Sequence, residues 1–324
     1  MKIAVIDDYQ DAFRRGAAFS RLKEHAVVAF NDTEKDPAKL AARLADADVV
    51  VLTQQRSPFP RVVIDNLPKL KLIVQTGRNT NHVDVAACTE RGIVIAAAGG
   101  GSPTATAELA WALILASLRH IPFEVAALKN GAWQSTVGTG LHGRTLGIYA
   151  LGRIGGCVAQ VGKAFGMQVT CWGREASKAK VREAGYSVPA SREEFFAGAD
   201  IISLHIPLNK ETRGIITAAD LAGMKPTALL VNTSRAPLVA PGALVEALKA
   251  GRPGFAAVDV FEEEPVLGGN HPLLKMPNVT CTPHLGYVEQ RTYDSFYSSA
   301  VDGILAFASG KPANVLNPDA LAKK

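Results

Sequence analysis

The sequence predicts an α/β protein built from two doubly wound parallel-sheet domains. Three observations lead to this fold class. The chain has 324 residues, which is more than one hydrophobic core usually serves. Short apolar runs alternate with segments of helical spacing along most of the chain, as in parallel sheets covered by helices on both faces. A glycine-containing turn at residues 149–155 separates an apolar run from a helix and opens a second series of such units.

Composition narrows the class of protein. Apolar residues make up 48% of the chain and charged residues 20%, which is typical of a globular domain. Lys and Arg outnumber Asp and Glu by 35 to 30, but the excess is scattered without a basic run. We therefore expect no nucleic-acid partner, and the excess is at most a weak indication of anionic ligands.

Cysteines and hydropathy indicate where the protein works. None of the four cysteines belongs to a C-x-x-C pair, so we expect reduced thiols and no metal site. The chain opens on KIAVID, which is typical of a strand rather than of a charged-then-apolar leader. The longest apolar segment, residues 109–118, is too short to span a bilayer. These patterns predict a cytoplasmic protein with no membrane partner.

The first hundred residues alternate between strand and helix patterns. Apolar runs predict strands at 2–6, 27–30, 48–53, 70–75 and 93–97. Helical spacing predicts helices near 13–22, 39–47, 61–67 and 84–91.

A second series of units follows the hinge-like GGGSP at 99–103. A long apolar helix is predicted at 104–118, with an extension toward Trp133. A last helix at 288–309 is expected to return to the first domain, which makes that domain discontinuous. The predicted domains are 1–99 with 288–324, and 100–287. The strands of the second domain are predicted at 146–149, 168–172, 200–204, 228–232, 255–260 and 279–281.

The turn after strand 146–149 resembles a phosphate-binding turn. Gly152 and Gly155 occupy the second and third glycine positions of G-x-G-x-x-G, around Arg153 and Ile154, but Ala150 replaces the first. Such a turn aims the free N–H groups of a helix at a pyrophosphate. The alanine is tolerated at small cost if its φ is negative and costs about 1 kcal/mol if φ is positive. The alternative is an ordinary crossover with packing glycines.

Three side chains follow successive predicted strands of the second domain. Arg235 comes after strand 228–232, Glu264 after 255–260 and His284 after 279–281. The carboxyl ends of parallel strands gather ligands, so these side chains are expected near one another. An arginine clamps a carboxylate, a histidine exchanges a proton with an oxygen, and a carboxylate orients that histidine. Each residue alone has an ordinary structural explanation; together they predict a catalytic set.

On these residues the chain resembles the D-isomer-specific 2-hydroxyacid dehydrogenase family, which includes phosphoglycerate, glyoxylate/hydroxypyruvate and D-lactate dehydrogenases. The resemblance runs from about Val50 to Pro318, and the first fifty residues match in pattern only. It implies a Rossmann cofactor domain and a discontinuous flavodoxin-like substrate domain. The motifs that carry it are LKLIVQTGRNTNHVDVAACTERGIVI, TLGIYALGRIGG, VNTSRAPLV, AAVDVFEEEP and NVTCTPHLG.

The resemblance implies roles for the catalytic set and the substrate loop. Arg235 would bind the substrate carboxylate and carbonyl, His284 would be the acid–base and Glu264 would be its partner. The family's carboxylate-binding loop corresponds to residues 76–81, where the usual G-x-G is Gly77, Arg78 and Asn79. Arg78 could meet an acidic substrate tail or point into solvent. Arg56 resembles the phosphate-gripping arginine of phosphoglycerate dehydrogenases, although enzymes of unphosphorylated acids can carry a similar arginine.

The same resemblance implies a nicotinamide cofactor. Family members that use NAD usually carry an acid after the strand at 168–172, whereas this chain has Gly173 and Arg174. Removing the acid and adding a cation favours NADP over NAD, although Glu175 could still accept a hydrogen bond from the ribose. The other expected cofactor-binding residues are Pro207, Thr233, Asp259 (to the nicotinamide amide) and Gly286.

The predicted function is hydride transfer between NAD(P) and a small 2-keto or D-2-hydroxy acid such as glyoxylate, hydroxypyruvate or a pyruvate-like acid. The family implies a homodimer through the cofactor domains, with helix 104–118 in the interface. One alternative is a dinucleotide-gated scaffold resembling the C-terminal-binding-protein corepressors. Another is a D-3-phosphoglycerate or phosphite dehydrogenase.

Overall fold

The computed structural model describes residues 1–323, which form two compact units. The first unit comprises Met1–Ser102 and the C-terminal segment from Val288, and the second comprises Pro103–Tyr287. Each unit is built on one parallel sheet.

The first unit has a five-stranded sheet in the order β2-β1-β3-β4-β5. Its strands read as continuous apolar runs because helices cover both faces, and every residue of β3, β4 and β5 is buried. The strands are β1 (Lys2–Ile6), β2 (Ala26–Ala29), β3 (Val49–Leu52), β4 (Leu72–Thr76) and β5 (Val94–Ala98). The helices are α1 (Ala12–Arg15), α2 (Pro37–Leu44), α3 (Arg61–Ile64), α4 (Val85–Glu90) and, from the C-terminal segment, α12 (Gln290–Ala308).

The second unit has a six-stranded sheet in the order β11-β10-β9-β8-β6-β7. The strand order switches between β6 and β8, because β7 lies on one side of β6 and β8 lies on the other. Doubly wound sheets bind their ligands at such a switch point. The strands are β6 (Thr145–Tyr149), β7 (Gln168–Trp172), β8 (Ile201–Leu204), β9 (Leu229–Asn232), β10 (Phe255–Val258) and β11 (Val279–Cys281). The helices are α5 (Pro103–Leu118), α6 (Ile121–Lys129), α7 (Arg153–Ala164), α8 (Lys178–Glu183), α9 (Arg192–Gly198), α10 (Ala218–Gly223) and α11 (Ala243–Lys249).

Two parallel sheets with these strand orders confirm the predicted fold class. The helical spacing at 13–22 proved to be two short elements, α1 and a 3₁₀ helix at Ala17–Leu22, because Gly16 between them is extended. The predicted extension of the long helix is also broken. His120 has a left-handed φ of 51°, so α5 and α6 meet at a bend of 59°. Among the described residues, no single helix has the length and hydropathy to cross a bilayer; only this bent pair meets both criteria jointly.

Ala150 adopts the strained conformation that the missing glycine would have avoided. Its φ is +75°, a region where a Cβ meets its own backbone. The conformation is held from both sides, because the Ala150 N–H donates to the Trp172 carbonyl (2.7 Å) and the Ala150 carbonyl accepts from the Gly152 N–H (3.0 Å). A Cβ on Gly155 would lie 2.5 Å from that same carbonyl oxygen, so only glycine fits there.

Ala150→Gly should therefore raise the free energy of unfolding by roughly 0.5–1 kcal/mol, because relief of the left-handed strain exceeds the extra entropy of glycine in the unfolded chain. Urea unfolding followed by circular dichroism measures the change. Ala184, which ends α8 at φ −74°, is the matched control, since Ala184→Gly should lower stability. Equal destabilisation by both changes would contradict the strain argument.

Candidate active site

The carboxyl ends of β9, β10 and β11 carry the three predicted catalytic side chains. These strands are neighbours in the sheet, so Arg235, Glu264 and His284 follow three adjacent strand ends. The structure brings two of them into direct contact: His284 Nδ1 lies 2.7 Å from Glu264 Oε2.

The histidine–glutamate pair is held in a defined orientation. The other carboxylate oxygen of Glu264 accepts the N–H of Phe261 at 3.0 Å, which fixes the carboxylate. The two side chains are only 16% and 18% exposed, so solvent screens their interaction little. An ionised carboxylate can only accept, so His284 donates to Glu264 through Nδ1. His284 has a φ of +53°, a strained conformation often found at functional sites.

Asp259 holds the turn that carries His284. Its carboxylate is fully buried and accepts from the Thr282 hydroxyl (2.6 Å), the Leu285 N–H (2.6 Å) and the Gly286 N–H (2.9 Å). Burial raises the pKa of Asp259, while these hydrogen bonds and the charge of His284 oppose that rise. A Cβ on Gly286 would lie 3.3 Å from the Asp259 carboxylate, so glycine allows the close approach.

Arg235 is anchored by its own strand end. Its guanidinium donates from Nη1 to the Ser234 carbonyl (2.6 Å), and its carbonyl accepts from Asn232 Nδ2 (3.0 Å). The Ser234 hydroxyl in turn donates to the Leu204 carbonyl at the end of β8 (2.7 Å). These bonds fix the segment from which the guanidinium extends.

The turn at the start of α7 presents free backbone toward a ligand. Gly152 precedes this helix of 12 residues and makes no side-chain cap, and a Cβ on Gly152 would meet nothing within 4 Å. Arg153 and Ile154 form the first turn, where helical N–H groups lack intrahelical partners. The backbone here is open to a phosphate and carries the positive end of the helix dipole.

Two buried polar atoms near neighbouring strand ends lack partners among residues 1–323. They are Thr233 Oγ1, after β9, and His205 Nδ1, after β8. Since buried polar groups are almost always satisfied, they indicate a ligand that supplies the missing hydrogen bonds. Together with the open glycine turn, they fit a dinucleotide. Pro207, which was also expected along the cofactor path, lies two residues after His205, and its carbonyl accepts from the Thr212 hydroxyl (2.7 Å).

Sequence reasoning missed His205. Its Nε2 lies 2.9 Å from the Ser203 hydroxyl, and burial lowers its pKa to about 4, so its ring is neutral at physiological pH. The available signal was LHIP directly after the third strand of the second domain, the same placement that singled out the other strand-end residues.

The structure also locates the residues expected to select the cofactor. Gly173 directly follows β7, and Arg174 beside it is exposed, with an extended backbone. Among residues 1–323, no group of three His, Cys, Asp or Glu side chains is placed to hold a metal ion.

The candidate substrate residues of the first unit follow β3 and β4. Gly77 has a φ of +89°, and its N–H donates to the Ala98 carbonyl (2.7 Å). That amide is therefore occupied within the first unit, so it does not serve a substrate carboxylate. Arg56 is only 9% exposed, and its charge opposes the burial that raises the pKa of Asp7.

The fold and this site are those of a nucleotide-dependent α/β enzyme, with a histidine–carboxylate pair and an arginine after three adjacent strands. Residues 111–286 match the model described as "D-isomer specific 2-hydroxyacid dehydrogenase, NAD binding domain". A glyoxylate reductase of Aeropyrum pernix is 38% identical over 286 residues, covering 85% of this chain and 84% of that protein.

Solved structures agree with this match. An oxidoreductase from Ralstonia solanacearum, provisionally described as a D-3-phosphoglycerate dehydrogenase, is 50% identical with a TM-score of 0.95 and covers 99% of this chain and 98% of its own. A phosphoglycerate oxidoreductase from Vibrio cholerae is 48% identical with a TM-score of 0.92, over 96% and 99% of the two chains. This chain therefore belongs to the D-isomer-specific 2-hydroxyacid dehydrogenase family of nicotinamide-dependent oxidoreductases.

The lowered pKa of His205 predicts acid sensitivity. Between pH 6.5 and about 4 the unfolded chain binds a proton at this residue that the folded protein does not bind. The free energy of unfolding should therefore fall by an amount on the order of a few kcal/mol as pH drops through that window. His205→Asn should flatten this slope. Urea midpoints at several pH values measure it, with exposed His142→Asn as control; an unchanged slope in His205→Asn would contradict the prediction.

Proposed function

We propose that this protein reduces a small 2-keto acid, such as glyoxylate or hydroxypyruvate, to the D-2-hydroxy acid, and catalyses the reverse oxidation. The observation that carries the proposal is the 2.7 Å contact between His284 and Glu264 beside the strand end that bears Arg235. The relative from Aeropyrum pernix, named a glyoxylate reductase, supports this substrate class.

Arg235 is the group that binds the substrate. Its guanidinium can pair with the carboxylate in two parallel hydrogen bonds and polarise the neighbouring keto oxygen. The keto carbon becomes more electrophilic, and the acid is held in one orientation. Charge pairing of this kind also explains why the substrate must carry a carboxylate next to the carbonyl.

His284 supplies the proton. In reduction, the imidazolium gives the proton on Nε2 to the keto oxygen, which becomes the hydroxyl; in oxidation the neutral ring takes it back. Glu264 stabilises the imidazolium and keeps Nδ1 protonated throughout. A bound nicotinamide supplies or accepts the hydride. Thr233 and His205 would supply hydrogen bonds to it, and Asp259 retains acceptor capacity for its amide.

In the first unit, we propose that the N–H groups of Arg78 and Asn79 bind the acid, with Gly77 giving the loop its conformation. Arg56 favours a second candidate, D-3-phosphoglycerate, because a buried arginine suits a phosphate. The name of the Vibrio cholerae relative supports the same candidate. The substrate panel described below separates the two acids.

We propose NADP(H) rather than NAD(H) as the cofactor. The support is Gly173 followed by the exposed Arg174, because an acid at residue 173 would repel a 2′-phosphate and an arginine attracts it.

We propose that the protein is a homodimer and that it works in a reducing compartment. The interface predicted on helix 104–118 stays a prediction for the exposed face of α5, because its buried Ala110, Trp111 and Ile114 belong to the core of the second unit. We extend it to the exposed apolar surface on α6 and the segment after it; its members are Ile121, Phe123, Val125, Leu128 and Trp133. A patch of this kind marks a protein interface.

All four cysteines are free thiols, which supports a location in the reducing cytoplasm.

His284→Ala should lower kcat for the preferred keto acid about 10²–10⁴-fold, the usual contribution of a positioned acid–base. The measurement is steady-state oxidation of NADPH or NADH with glyoxylate, hydroxypyruvate and pyruvate, and reduction of NADP or NAD with D-3-phosphoglycerate. Exposed His142→Ala is the control and should match the wild type. Turnover at wild-type level in His284→Ala would contradict the mechanism, and turnover with none of these acids would contradict the substrate class.

Phe123→Glu should convert the dimer into a monomer, because a charge replaces an apolar side chain that is 57% exposed on α6. Sedimentation equilibrium measures the mass. Val62→Glu on α3 is the matched control, since Val62 has the same exposed fraction of 57% and lies in the other unit. A monomeric wild type, or a dimer that survives Phe123→Glu, would refute this interface.

A further inference from the structure

The segment after β7 lies beside the nucleotide turn. A Cβ on Gly173 would lie 3.9 Å from the Cα of Ala150, so residue 173 borders the turn that precedes α7. In doubly wound nucleotide-binding sheets, the residue after this strand meets the adenosine ribose. Residues 174–178 continue the chain from that position, so their side chains are the nearest in sequence to the place where a 2′-phosphate would lie.

Ser177 folds this segment tightly over Gly173. Its N–H and its hydroxyl both donate to the Arg174 carbonyl, at 2.9 and 2.6 Å. As a result, a Cβ on Gly173 would lie 3.1 Å from the Ser177 hydroxyl oxygen, closer than an unstrained contact. A side chain at residue 173 would therefore require the Ser177 hydroxyl to move by a few tenths of an ångström, which glycine avoids.

Lys178 is a second cation in this segment and was not singled out from the sequence. Its Nζ lies 5.3 Å from the centre of the Trp172 ring, within the range of a cation–π contact. The side chain is only 21% exposed, so the ring and its surroundings restrict it. A cation held in this way loses less conformational entropy when an anion binds.

Glu175 pairs with Lys178 at 2.6 Å, but the two partners differ in their surroundings. The glutamate side chain is 84% exposed, whereas the lysine is largely covered. Because the glutamate is exposed, water hydrates it when it is released, so another anion can replace this carboxylate at small cost. A phosphate monoester carries up to two negative charges and three acceptor oxygens, and it competes well for the same cation.

We propose that Lys178 and Arg174 together bind the 2′-phosphate of NADP(H), and that the Glu175 carboxylate occupies Lys178 until the phosphate replaces it. This assignment rests on the proposed use of NADP(H), and it makes Glu175 a residue that weakens phosphate binding rather than one that holds the ribose. The anion exchange tunes cofactor choice: the phosphorylated cofactor gains a cation that the unphosphorylated one cannot use.

The test measures nucleotide binding without any keto acid. Isothermal titration calorimetry gives the Kd of 2′,5′-ADP, which carries the 2′-phosphate, and of 5′-AMP, which lacks it. Lys178→Gln should weaken 2′,5′-ADP binding about tenfold and leave 5′-AMP within about twofold, because one charged contact to the phosphate is lost. Glu175→Gln should tighten 2′,5′-ADP about threefold and leave 5′-AMP unchanged.

Two variants on α8 serve as controls. Lys180→Gln and Glu183→Gln make the same charge changes at exposed residues and should alter neither Kd. Equal effects of Lys178→Gln and Lys180→Gln would overturn the assignment, since only general electrostatics would remain. So would equal weakening of both nucleotides by Lys178→Gln, which would indicate a structural role for the Lys178–Glu175 pair.

These outcomes are distinguishable from failure of the proposed function. Wild-type protein that binds 2′,5′-ADP no better than 5′-AMP would overturn both the NADP(H) preference and the role of Lys178. A strong preference for 2′,5′-ADP that Lys178→Gln leaves intact would overturn this assignment alone. Absence of turnover with every keto acid would contradict the substrate class, while the nucleotide titrations would still decide the role of Lys178.

Discussion

The fully buried carboxylate of Asp259 is the constraint on which the catalytic end of the sheet depends. It ties the end of β10 to the turn after β11 through one hydroxyl and two backbone N–H groups. An unpaired buried carboxylate is costly, so these three donors cannot be removed without loss of stability. The turn that carries His284 is therefore fixed in its left-handed conformation, and the imidazole meets Glu264 at hydrogen-bond distance.

Backbone strain recurs at strand ends in both units. Four residues other than glycine have positive φ values after strands: Asp7 after β1, Gln54 after β3, Ala150 after β6 and His284 after β11. Each costs of order 1–3 kcal/mol and persists only where surrounding hydrogen bonds determine the conformation. Carboxyl ends of parallel strands are also where these folds bind ligands. Of these four residues, His284 is proposed for the chemistry, and Ala150 lies in the proposed nucleotide turn.

The sequence predicted the features that local patterns determine, such as the strands and the residues at their ends. It missed the features that depend on tertiary contacts. Apolar runs such as VVVL identify buried strands, and chain order then places Arg235, Glu264 and His284 at strand ends. The break at Arg119 and His120 was missed because apolar residues resume directly after it, at Ile121. The occupied amide of Gly77 and the contact between Glu175 and Lys178 depend on how the chain packs, which spacing alone does not encode.

The central claim is that Glu264 holds His284 with its proton on Nδ1, so that Nε2 serves the substrate. Nitrogen-15 NMR of the histidine rings, with His284 assigned by comparison with His284→Ala, tests this directly. At a pH where the ring is neutral, the wild-type protein should show the Nδ1–H form, and Glu264→Ala should lose that preference. A neutral His284 that carries its proton on Nε2 in the wild type would contradict the account.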